Sequence, residues 1–127
     1  MQPTDKQKKF IRQQIKRIKD VMYLNRYTLD IHYMEEDEPQ ETYASMSGTG
    51  EYLQAELRLF PAFWKQDKEG QLMTLVHEFC HIPLFELVGL PHKMLEGKMI
   101  SRDQIGSANE RATEAFALAV YRATYSE

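Results

Sequence analysis

Two of the chain's four histidines, His77 and His81, stand four residues apart, with Glu78 directly after the first. In an α-helix, residues four apart point about 40° from each other, one turn along. Two imidazoles so placed can reach one metal ion at about 2.0–2.1 Å. Glu78 is rotated from His77 by about 100°. That sets it beside such an ion rather than on it, where a carboxylate can take a proton from water. The pattern is H-E-x-x-H, and its chemistry is metal-assisted hydrolysis. The competing reading is a pair of core histidines satisfied by backbone carbonyls. Against it, Leu75, Val76, Phe79, Cys80 and Ile82 are all uncharged, as a buried ligand-bearing helix requires. Cys80 reads as a small apolar packer rather than a ligand.

Two imidazoles do not complete a catalytic zinc site, which needs a third protein ligand and an open position. A third histidine six residues past His81 would fall at Leu87, and His92 lies too far on, beyond Gly89 and Pro91. The other route is a glutamate on a second helix, and "ANERATEAFALA" offers one. Asn109-Glu110-x-x-Thr113-Glu114 following H-E-x-x-H resembles the glutamate-zincin (gluzincin) peptidases. The run from Glu110 through Glu114-Ala-Phe-Ala is also similar to the small ImmA/IrrE-like metallopeptidases of phage and bacteria. The resemblance covers residues 72–82 and 109–119, about a sixth of the chain.

The resemblance implies Zn2+ as cofactor, with Glu110 as third ligand. Glu114, one turn on, would accept the other N–H of a ligand histidine and orient it. It implies a peptidase acting on a peptide or protein, with Glu78 as general base. In such families an extended substrate adds antiparallel to an edge strand. "YLQAELRLF" (Tyr52–Phe60), just before the site helix, is the candidate strand, which sets Leu53, Gln54, Ala55 and Glu56 along the substrate. His92, Arg111, Tyr121 and Tyr125 are available as oxyanion donors, and nothing in the sequence chooses among them. Pro83 departs from the family's uninterrupted helix. It lacks an N–H and clashes with the carbonyl of Phe79, so the helix should kink or end there.

These residues need a frame to position them. Thr4 or Asp5 can cap a first helix running to about Arg26, with Ile11, Ile15, Ile18 and Met22 on one stripe. The period then changes to two. Tyr27, Leu29, Ile31 and Tyr33 alternate with Thr28, Asp30 and His32, as in a half-buried strand with His32 outward. After the acidic loop "EEDEPQE" come "TYASM" as a second strand, "SGTGE" as a turn suited to positive φ, and "YLQAELRLF" as a third strand, the last two forming a hairpin. Trp64 reads as a core anchor. The site helix starts near Asp67–Gly70 and buries Leu72, Leu75, Val76, Phe79 and Cys80. Residues 90–107 read as irregular. A last helix starts near Ser107–Asn109 and is rich in alanine. The expected fold is α+β and minimal zincin-like, one domain over 1–127. It comprises an N-terminal helix, a small, mostly antiparallel three-stranded sheet, a site helix and a C-terminal helix.

Composition narrows the functional classes. The chain has 127 residues, 43% hydrophobic and 28% charged, which suits one domain in solution. No apolar run approaches the roughly 20 residues of a membrane helix, and the N-terminus has no apolar signal region. Cys80 is the only cysteine, so an intracellular, reducing setting is expected. Residues 1–26 carry eight Lys/Arg against two Asp, while the remainder carries eight against seventeen acids. Such a basic helix on an acidic body can be a solvated face or a contact surface. Two rivals to the peptidase follow. One is a regulatory or binding protein that keeps zinc without proteolysis and engages a partner through the basic helix. The other is a nucleic-acid role, which ranks last because no helix-turn-helix or aromatic-basic motif is present.

Overall fold

A computed structural model of the chain describes residues 2–38, 42–50, 52–85, 91, 93–97, 99 and 101–125, with backbone only at 121 and 124. Helix α1 spans Asp5–Met22 and is closed at its start by a reciprocal capping box between Thr4 and Gln7. It ends at Tyr23, which takes the left-handed conformation at φ 58°. Ile11, Ile15 and Met22 are buried and Ile18 packs beside them, the stripe expected from their spacing.

The sheet holds β1 (Thr28–Tyr33), β2 (Ala44–Thr49) and β3 (Gln54–Leu59) in the order β1-β3-β2. β2 and β3 form the expected antiparallel hairpin, but β3 pairs with β1 in parallel. The sheet is therefore mixed rather than mostly antiparallel. β3 lies between β1 and β2, so β1 and β2, consecutive in the chain, are not neighbours in the sheet. Period-two alternation fixes which face of a strand is buried but not who its neighbours are. The hairpin turn also differs from expectation. Gly48 lies within β2, extended at φ 159°, and Leu53 is the residue with left-handed backbone at φ 52°. Gly48 is needed for space: a Cβ there would lie 2.1 Å from the Gln54 carbonyl oxygen.

One face of the sheet is covered by helices. Ala55, Leu57 and Leu59 are at most 1% exposed and pack with Ile11, Ile15, Leu75 and Phe79. Each large aliphatic or aromatic side chain so buried contributes about 1.5–3 kcal/mol relative to exposure. Trp64, in a short 3-10 turn at Pro61–Lys65, anchors this layer. It meets Phe63 edge-on at 5.0 Å and stacks on Tyr33 at 6.2 Å.

Helix α2 (Lys68–Cys80) is capped by Asp67, whose carboxylate accepts the Gly70 N–H at 2.7 Å. It packs on β2 and α1. Leu75 and Phe79 are fully buried, whereas Leu72 and Cys80 are half-buried and Val76 is exposed. α2 ends where Pro83 requires. His81 is its C-cap, and Ile82–Leu84 form a 3-10 turn.

The last helix, α3, spans Arg102–Tyr125 and begins earlier than expected. Ser101 caps it: its Oγ accepts the Gln104 N–H at 3.1 Å, and its own N–H donates to Gln104 Oε1 at 2.7 Å. That reciprocal cap offsets the roughly 1 kcal/mol that Gly106 costs inside a helix. Residues 93–95 are helical too, so 90–107 is only partly irregular. α3 packs on α1 and on the turn after α2, through buried Ala108 and Ala112. No helix among the described residues is long and apolar enough to cross a membrane.

Candidate metal centre

His77, Glu78 and His81 occupy the last turn of α2. Phe79, on the opposite side of that turn, locks it to the core, and Leu75 does so one turn earlier. His81 keeps right-handed helical backbone at φ −71°, ψ −26°, so the one-turn relation to His77 survives the approach of Pro83. One candidate ligand atom from each of His77, Glu78 and His81 lies within 4.8 Å of the others, a spacing at which such a group could hold a metal ion. The two imidazoles meet edge to face, centroids 5.0 Å apart. Both histidines are exposed, and neither imidazole makes a hydrogen bond among the described residues. This weighs against core histidines satisfied by carbonyls. Two imidazole nitrogens one helix turn apart, with a carboxylate beside them, could hold a metal ion such as zinc.

Glu78 is 8% exposed, the one buried charged residue among those described. Its carboxylate makes no hydrogen bond among them. Burial pushes its pKa up, and the adjacent His81 and His77 pull the other way. A carboxylate with raised pKa and no competing donor is a better proton acceptor than an ordinary one. Burial also pushes the Cys80 thiol up, which keeps it protonated and fits the packing role expected of it.

The other expected site residues are placed elsewhere. Glu110 lies on α3, exposed and outside the His77-Glu78-His81 cluster. From the buried Ala108 it is about 200° around the helix, on the far side from the packed face. Glu114 lines a cavity of about 400 Å3 together with Leu53, Tyr27, Arg111 and Pro83. That cavity lies between the end of α1, the hairpin turn and α3, and does not include the histidines. Of the oxyanion candidates, Arg111 lines this cavity and Tyr125 is 70% exposed, while His92 and the Tyr121 side chain fall outside the described residues.

The edge-strand assignment is corrected. β3 is the central strand, paired on both sides from Gln54 to Leu59, and Ala55 is buried. Gln54, Ala55 and Glu56 therefore have no free backbone edge to offer a substrate, and Leu53 is in the turn before the strand. The sheet edge nearer α2 belongs to β2, which has no second strand partner among the described residues. Reading burial alone could not reveal this, because a central and an edge strand with one covered face share the same alternation.

Compared with protein-family models, with curated proteins and with solved structures, the chain matches none of them.

Proposed function

We propose that this chain is a metal-dependent peptidase whose His77 and His81 hold zinc and whose Glu78 is the general base. The observation that carries the proposal is the convergence of two exposed imidazoles and one buried carboxylate on the rigid last turn of α2. Glu110 is the third donor that the resemblance to glutamate-zincins assigns. Zinc, when bound, supplies Lewis acidity, which polarises a peptide carbonyl and acidifies water.

The chain's own residues supply the rest. Phe79 and Leu75 fix the helix turn that aims the imidazoles. Glu78 takes a proton from the attacking water and passes it to the leaving amine. Its raised pKa fits both halves of that task, since a strongly acidic carboxylate would accept the proton poorly. The free edge of β2, beside α2, is the place where an extended substrate can add its own hydrogen bonds.

The test is metal content and hydrolysis together. Wild-type protein should bind one zinc and hydrolyse a responsive peptide. Glu78→Gln should keep stoichiometric zinc and lose turnover, a loss on the order of 10²–10⁴ for a removed general base. Undiminished hydrolysis by that variant, or no zinc binding by the wild type, sinks the proposal. Zinc titration of Glu110→Ala tests the third donor separately.

A second reading, a zinc-holding regulatory protein without proteolysis, is favoured by one observation: Glu110 stands away from the histidines. It forecasts normal zinc binding and no hydrolysis in the wild type.

A further inference from the structure

We infer that the open edge of β1, on the opposite side of the sheet from β2, docks an extended acidic peptide as a fourth strand. The inference does not rest on the metal centre. In the parallel β1–β3 ladder, the Thr28 N–H donates to the Leu53 carbonyl at 2.8 Å and the Met34 N–H to the Leu59 carbonyl at 2.9 Å. Alternation along the strand then turns the N–H and C=O of Leu29, Ile31 and Tyr33 to the outer side. None of these three residues has a backbone partner there among the described residues. β1 contains no proline and no bulge, two of the usual devices that blunt an exposed edge.

A row of cations runs along this edge. α1 lies antiparallel to β1: the Lys8 ammonium sits 4.9 Å from the Tyr33 ring centroid, and Lys19 Nζ donates to the Tyr27 carbonyl at 3.0 Å. By the same alternation that carbonyl faces outward, so Lys19 already occupies one position of the open edge. Lys8, Arg12 and Lys19 fall within about 40° of one another around α1, with Lys16 some 40° beyond. Positions 8, 12, 16 and 19 recur at roughly 4.5–6 Å along the helix axis. Side chains on one face of an added strand recur at about 6.7 Å. Arg12 and Lys16 are exposed and make no ion pair among the described residues. A strand with an acidic residue at every second position would thus satisfy the free backbone groups and set its carboxylates against this row. Duplex nucleic acid would meet the charges but could not pair with the strand.

The test uses the full chain and three probes: an octapeptide alternating glutamate and threonine, the same peptide N-methylated along one hydrogen-bonding edge, and a short DNA duplex. The alternating peptide should bind with salt-sensitive affinity. It should slow hydrogen exchange at the amides of Leu29, Ile31 and Tyr33. N-methylation should weaken binding by about tenfold or more, because it removes strand hydrogen bonds and leaves the charge unchanged. Arg12→Glu, an exposed change that leaves the core untouched, should weaken it comparably, and Arg12→Gln less. Equal binding of the N-methylated copy overturns the inference. So does DNA binding as tight as the peptide's, or absence of protection at the three amides.

Discussion

Gly48→Ala and Gly106→Ala should change stability in opposite directions, although the covalent change is the same. At Gly48 an added Cβ would sit 2.1 Å from the Gln54 oxygen and 2.8 Å from Ala55 Cα. Both obstacles are backbone atoms of the central strand, so no side chain can swing aside. The closer contact is about 1.3 Å short of ordinary van der Waals separation. Opening β2 from β3 by that much breaks the adjacent ladder bonds. Two such bonds at about 1 kcal/mol each, with residual overpacking, give a loss of about 2–3 kcal/mol. For a chain of 127 residues this lowers Tm by roughly 8–12 °C. At Gly106, inside α3, a Cβ meets nothing within 4 Å. There the substitution removes the glycine penalty and should gain about 0.8–1 kcal/mol. Urea denaturation followed by circular dichroism measures both. A loss under about 0.5 kcal/mol at Gly48 would mean that the hairpin is not as close as described. A loss at Gly106 would mean that α3 is not continuous through that residue.

Three further outcomes follow from single sites. The Tyr33 hydroxyl is buried without a hydrogen-bond partner, so Tyr33→Phe should be neutral or stabilising, up to about 1 kcal/mol. Burial raises its pKa above the ordinary 10.0, with Arg12 pulling the other way; the folded state therefore holds the proton longer, and wild-type stability should fall as pH rises through that raised value while the variant lacks this component, a difference visible in paired alkaline denaturation curves. Ser101→Ala removes the cap of α3 and should cost about 1 kcal/mol, with exchange of the Gln104 and Ile105 amides accelerating first. Free zinc at a hundred times its Kd should stabilise the wild type by about 2.7 kcal/mol, reversed by chelation and absent in His77→Ala; an unchanged Tm in millimolar zinc would count against the centre.

Local pattern carried most of the fold into view. The Ile11-Ile15-Ile18-Met22 stripe, the alternation of β1, the Asp67 start of α2 and its stop before Pro83 all stand where spacing and capping chemistry set them. What failed to show was non-local. Strand order depends on the path of the 34–43 connection, and no residue in β3 announces that both its edges are taken. Val76 fits a buried stripe by type yet is 43% exposed, because the face of α2 turned to the core is centred on Leu75 and Phe79. The capping box at Ser101 was legible as Ser-x-x-Gln, but Gly106 so close behind it masked the signal.

The metal centre divides along the same line. His77, Glu78 and His81 are one helix turn apart, so local geometry alone brings them together. Glu110 must come from another helix, and its direction is set by which face of α3 is buried. That face is drawn by Ala108, Ala112 and the partly buried Ala115 and Ala119, at i, i+4, i+7 and i+11. Such a stripe fixes the phase of α3 weakly. An alanine methyl buries little, and at about 0.8 kcal/mol per methyl-sized group the whole stripe holds roughly 3 kcal/mol. Only the extra zinc affinity that a third donor brings could offset that packing, since an ion held by the two histidines alone gains nothing from turning α3. Were Glu110 to serve as third donor, that increment would have to exceed the roughly 3 kcal/mol of the alanine stripe, and a stripe of leucines would set the threshold higher. The small residues that turn Glu110 away from the histidines are thus also the ones that hold it there least firmly.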